Sequence, residues 1–373
     1  MPNDARPVFV RKPETDSDLV GSDAYDPTMR RDTILAWFAT VAFVGGGIAY
    51  VVATSGTTPP PLRVSATPVV ADIRSGVLAV PMPPPRTIDP YRGYGTWVDV
   101  FDFSPPYAGP SPSLRTADLQ EMAAAGVTTV YLQAARLDDR SPSGLEDRWL
   151  LAEWLLRAHD VGIDVVAWYL PRFGEGTGDV DRVQALIDFE VLGQRFDGVG
   201  IDIEWTGDGV DDETRNGRLI ALGETVKAAN PDVPLGAIVL PPVLIEVVNE
   251  DFWPGFPWQE ISPSFDVWLP MTYWSFRSDA SGYGDGYSYV EESVRRLRNN
   301  IGDPDALVHP IGGIGGIDGI DDPDDPAEPL ATIAELDNFA FAVADTASIG
   351  ASVYDWNTLD SAAKVRLTEL FGS

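Results

Sequence analysis

From about residue 88 to the C-terminus, short apolar runs alternate with longer stretches in which apolar residues recur every three to four positions. A short run bounded by turn residues predicts a strand, and the longer period predicts a helix. Strands are expected over Trp97–Phe103, Thr129–Ala135, Asp164–Leu170, Gly198–Glu204, Leu235–Leu240, Val267–Tyr273, Leu307–Ile311 and Ala351–Trp356. Helices are expected over Ala117–Ala125, Asp147–Asp160, Val180–Gly193, Asp212–Ala229, Val290–Asn300 and Ile333–Ala347, with a weaker one after the fifth strand and a closing helix over Ser361–Leu370. Thr116 can cap the first helix and Gly126 can stop it, while Asn230-Pro231 ends the fourth. Eight strand–helix units in about 285 residues predict a TIM (β/α)8 barrel, whose typical length is about 250 residues. A doubly wound open sheet shares this alternation, but no glycine-rich phosphate turn follows the first strand.

The first 87 residues follow a different pattern. Residues 1–32 are rich in Asp, Pro and Arg and read as a disordered cytoplasmic tail. Residues Thr33–Val52 carry no charge, and a helix of that length spans roughly 30 Å, one bilayer core. Arg30 and Arg31 abut its N-terminal side and no basic residue follows until Arg63, so the positive-inside rule puts the N-terminus in the cytoplasm. A cleaved signal peptide has a shorter leader and apolar core, so the expectation is an uncleaved single-pass anchor over 33–54 in the plasma membrane, with the barrel outside the cell. Residues 55–87 contain TTPPPL and PMPPPR, and that proline density favours a stiff, extracellular spacer. The barrel domain then occupies 88–373.

Charge and composition narrow the partners. The 57 acids against 26 basic residues leave a net charge of −31, spread along the chain. Nucleic acid is excluded as an expected partner, because phosphate binding needs a clustered Lys/Arg surface. There is no cysteine, hence no thiolate metal site, disulfide or cysteine nucleophile. His159 and His309 lack metal-ligand spacing and read as structural. The acids from Asp318 to Asp325 do not match a calcium-loop spacing and read as a solvated loop. No metal or cofactor is expected.

The candidate chemistry lies in FDGVGIDIEW, residues 196–205. Its alternation sends Ile201 and Ile203 to one face and Asp202 and Glu204 to the other. Two acids in an apolar strand lose hydration unless they are paired or stand at an open end. TIM barrels place their active sites at the C-terminal ends of the strands, which also brings in Asp99, Asp102, Gln133, Arg136, Trp168, Tyr169, Met271, Tyr273, Tyr354, Asp355 and Trp356. Acids among aromatics suit a carbohydrate, since aromatic faces stack on sugar rings and carboxyls do acid/base work at the glycosidic bond. The expected substrate contacts are Tyr273, Met271, Trp356, Asp99, Gln133, Tyr169, Tyr354 and Trp274.

The run Asp197-Gly-Val-Gly-Ile-Asp202-Ile-Glu204 resembles the fourth-strand signature D-G-x-D-x-D-x-E of family 18 glycoside hydrolases, the chitinase-like barrels. Met271-Thr272-Tyr273 resembles the start of that family's M-x-Y-D motif, and Trp356 falls where an eighth-strand tryptophan floors the sugar subsite. The resemblance implies retaining hydrolysis assisted by the substrate's own 2-acetamido group. Glu204 would be the general acid/base, Asp202 would hold the acetamido group, and Tyr273 would hydrogen-bond it. Two positions depart from the pattern: Gly200 stands where the family carries a relay acid, and Trp274 where it carries the last acid of M-x-Y-D. The expected function is therefore a membrane-anchored, extracytoplasmic glycoside hydrolase acting on a polysaccharide, and the resemblance implies one that contains N-acetylglucosamine. The alternatives are a catalytically impaired glycan-binding barrel and a scaffold of an envelope complex. A further arrangement, resembling family 25 lysozymes, would pair Asp99 with Asp202 and Glu204.

Overall fold

The computed structural model describes residues 83–141, 144–207, 209–277, 281–313 and 330–372. The expected tail, the membrane segment, most of the spacer and the acidic loop after the seventh strand lie outside these residues. Among the described residues no helix is long and apolar enough to cross a membrane.

Eight parallel strands close into a barrel: β1 (Gly93–Val98), β2 (Thr129–Ala135), β3 (Asp164–Tyr169), β4 (Gly198–Ile203), β5 (Leu235–Val239), β6 (Val267–Thr272), β7 (Ile311–Gly313) and β8 (Gly350–Tyr354). Each pairs with its sequence neighbours, and β1 pairs with β8 to complete the ring. The helices are α1 (Leu119–Ala124), α2 (Arg148–Asp160), α3 (Asp179–Ile187), α4 (Asp212–Ala229), α5 (Gly286–Ile301), α6 (Ile333–Asp345) and α7 (Ser361–Phe371). After β5, a π-helical turn (Leu244–Val248) and a short helix (Trp258–Ile261) stand where one longer helix would be. Past α3 the chain forms a small antiparallel hairpin, Glu190–Val191 with Gln194–Arg195, where the sequence predicts continued helix.

Polar caps mark the helix starts. Asp147 accepts the amides of Trp149 and Leu150, and Asp211, Asp285, Thr332 and Asp360 serve α4, α5, α6 and α7.

Aromatic side chains fill the barrel interior because several inward strand positions are glycine. A Cβ on Gly95 would stand 2.6 Å from the Tyr131 ring, and one on Gly198 would stand 2.7 Å from the Tyr91 hydroxyl. Tyr91 plugs the N-terminal end, donating to the Val199 carbonyl at 2.9 Å. His309 joins the plug through Nδ1, 2.7 Å from the Tyr91 carbonyl, and burial pushes its pKa down to about 4. The N-terminal end of the barrel interior is thus closed, with its buried histidine neutral at pH 7.

Candidate active site

Asp202 belongs to the inward row of β4 with Gly198 and Gly200, and Glu204 continues that row one residue past the strand's end. Two carboxyls on alternate residues come within about 7 Å of each other. Both are buried, and neither Asp202 Oδ1 nor Glu204 Oε2 has a hydrogen-bond partner among the described residues. Burial raises the pKa of Asp202 well above the ordinary range, and repulsion from Glu204 raises it further. Burial lifts Glu204 to about 8, against the attraction of the Arg136 guanidinium.

Arg136 follows the last residue of β2 and is buried at the mouth. Its guanidinium lies over Phe101 at 5.1 Å and Tyr107 at 5.8 Å, and its Nε is 3.9 Å from Asp138 Oδ2. Buried Glu146 closes this side by accepting from Ser104 at 3.1 Å and from Ser141.

A second group of acids stands where β8 meets β1. Asp99 caps the short helix Val100–Phe103, its Oδ1 accepting from the Phe101 amide at 2.7 Å, while Tyr354 donates its hydroxyl to Oδ2 at 2.6 Å. Oxygens of Asp99, Asp102 and Asp355 lie within 4.8 Å of one another. Burial raises all three pKa values, Asp355 to about 6, and repulsion from Asp99 raises those of Asp102 and Asp355 further. This is the one carboxylate group among the described residues with cation-binding spacing. However, Phe101, Tyr354, Ser113 and Thr358 already donate to it. Gln133 ties β2 to this corner by accepting the Val100 amide at 3.1 Å.

Between the two acidic groups lies an aromatic wall. Trp97 stacks on Tyr131 with centroids 4.5 Å apart and meets Trp168 edge-on at 5.8 Å. Tyr354 lies 6.5 Å from Trp97 and 5.9 Å from Tyr273. Tyr273 lies over Gly313, where a Cβ would come within 2.8 Å of it. Met271, two residues before Tyr273, shares its side of β6 and is buried.

Of the residues expected at the site, Asp202, Glu204, Asp99, Gln133, Met271, Tyr273 and Tyr354 come together at this mouth. Three others are placed elsewhere. The Tyr169 hydroxyl donates to Asp179 at the start of α3. Trp274 packs on Phe339 of α6, 5.4 Å between centroids, and against Gly312 and Gly286. Trp356 is buried with the Lys364 ammonium 4.3 Å from its ring centre, under α7. Trp97 is a wall residue that the strand ends do not single out, although it stands two positions before Asp99 and so shares its face.

The position at which the resemblance expects a relay acid is crowded by side chains. A Cβ on Gly200 would stand 2.8 Å from Ile238 Cδ1 and 3.4 Å from Trp168 Cβ, so hydrocarbon fills the place of the missing acid. Asp197, the first acid of the run, is used structurally: its Oδ2 accepts from the Val165 amide at 2.7 Å and from His159 Nε2 at 2.9 Å.

No protein-family model and no curated protein matches this sequence. Solved structures do. The C-terminal domain of a protein described as a candidate chitinase from Desulfitobacterium hafniense DCB-2 superposes with a TM-score of 0.52 at 13% identity, covering 75% of this chain and 98% of that one. The spore cortex-lytic enzyme SleL of Bacillus cereus gives 0.52 at 11% identity, over 78% and 76%. The endo-1,4-β-mannanase of Rhizomucor miehei gives 0.51 at 10% identity, over 75% and 94%. At these identities the likeness is one of architecture, and the chain is a TIM barrel.

Proposed function

We propose that this barrel is a glycoside hydrolase that cleaves a polysaccharide, with Glu204 as its general acid/base. The observation that carries the reading is the pair of buried, incompletely hydrogen-bonded carboxyls at the mouth of β4, beside a wall of Trp and Tyr rings. With its pKa near 8, Glu204 holds a proton at neutral pH and can pass it to the leaving glycosidic oxygen. The resulting carboxylate can then take a proton from the attacking water. Asp202, one pleat deeper, orients the group on the sugar that attacks the anomeric carbon. The resemblance of Asp197–Glu204 and Met271–Tyr273 to the chitinase-like motifs supports a 2-acetamido group in that role, and so a polymer containing N-acetylglucosamine. The architectural likeness to polysaccharide-cleaving barrels agrees with it.

Glu204→Gln should lower hydrolysis of N-acetylglucosamine oligomers by at least about 100-fold, the usual worth of a general acid, while oligomer binding persists. A variant as fast as the wild type would remove Glu204 from the mechanism.

One observation favours a second reading, a barrel that holds glycan without cutting it. Ile238 and Trp168 occupy the space beside Gly200, so Asp202 has no acid behind it to share its proton. Under that reading the wild type retains oligosaccharides yet releases no reducing ends on long incubation.

We also propose that residues 33–54 anchor the chain in the plasma membrane with the barrel outside the cell. The uncharged run and the flanking Arg30 and Arg31 support this.

A further inference from the structure

Ten of the chain's tryptophans lie in the described residues, and nine of them are at most 8% exposed. Trp149 is 85% exposed. Its backbone is fixed, since it lies in the first turn of α2, where the Asp147 side chain accepts its amide at 2.8 Å. The Glu146 amide donates to the Ala134 carbonyl at 2.9 Å, which brings the helix start against the C-terminal end of β2. Leu151, Trp154 and Leu155 bury the opposite face of α2. The indole thus stands in water at the start of α2, on the same face of the barrel as the C-terminal strand ends.

From this geometry we infer that Trp149 is an outlying glycan platform, on which a pyranose ring of the polymer stacks beyond the cleavage site. The inference rests on the polysaccharide reading above. An indole face suits the apolar C–H face of a sugar, and the adjacent aromatics are less available for it. Arg140 covers Tyr107 at 3.9 Å, and Phe101 meets Tyr107 edge-on at 5.6 Å. A second copy of this chain is a poorer occupant, because two bodies each carrying −31 repel one another whereas a neutral polysaccharide is not repelled.

The test compares wild type and Trp149→Ala for binding to insoluble chitin and to peptidoglycan sacculi, for hydrolysis of a short soluble N-acetylglucosamine oligomer, and for sedimentation. The expected result is about tenfold weaker retention on whichever polymer the wild type binds, with the oligomer rate, the thermal midpoint and the monomer mass unchanged. Equal retention by the two proteins would overturn the platform and leave the proposed hydrolase standing. An equal fall in oligomer rate, or a wild-type dimer that Trp149→Ala dissociates, would also overturn it. A wild type that neither binds nor cleaves any of these polymers would overturn the hydrolase reading and the platform together.

Discussion

Glu204 is the residue on which the proposed chemistry and the stability of this barrel meet. Its folded pKa of about 8 stands above the ordinary value of 4.5, so the folded chain binds this proton more tightly than the unfolded chain does. Stability therefore declines as pH rises from about 4.5 through about 8. Glu204→Gln cannot ionise and should flatten that decline, with a gain of a few kcal/mol at most near pH 8. Melting profiles from pH 5 to 9 that coincide for the two proteins would mean that the carboxyl is ordinary. Hydrolysis under the proposed mechanism should fall over the same upper range, as the acid loses its proton. Asp202 and Glu204 were legible in the sequence because alternation along a strand fixes which side chains share a face. Trp274 and Trp356 were not. Trp274 follows Tyr273 and turns the opposite way, and Trp356 lies beyond the end of β8 at Tyr354, where alternation no longer sets direction.

At the scale of elements, glycine marks both what the interior required and where the sequence misled. Strand β1 is Gly93–Val98 rather than Trp97–Phe103, and β7 is Ile311–Gly313 rather than Leu307–Ile311. In each, one inward position is a glycine, Gly95 or Gly313, that makes room for the ring of Tyr131 or the side chain of Tyr273, so part of the apolar signal that betrays a strand is carried by another element's side chain. Strands with a full apolar row, β2 and β5 among them, were read to within a residue. The same crowding yields a prediction for β4. Restoring an acid at the relay position, Gly200→Asp, should lower stability by about 1–3 kcal/mol through overpacking alone, before any cost of burying the carboxyl. Adding Ile238→Ala should recover part of that loss. Denaturant titrations in which Gly200→Asp is as stable as the wild type would show that Ile238 yields freely.

On the scale of the whole molecule, the repeating strand–helix units made the barrel readable, since only closure or a doubly wound sheet satisfies eight such units. The proposed anchor belongs to this scale too. Removing residues 1–54 should shift the protein from the membrane fraction to the soluble fraction with its rate on soluble oligomers unchanged. Full-length protein found wholly in the soluble fraction would refute the anchor. The spacer's last residues meet the barrel where Arg86 donates to the Phe196 and Ile187 carbonyls at 2.8 Å and Arg195 reaches the Pro84 carbonyl at 2.5 Å. There they line a cleft of about 470 Å³ with His159, Asp164 and Asp197, at the N-terminal ends of β3 and β4. The chain that leads into the barrel therefore meets it at its base, at the pole opposite Asp202 and Glu204.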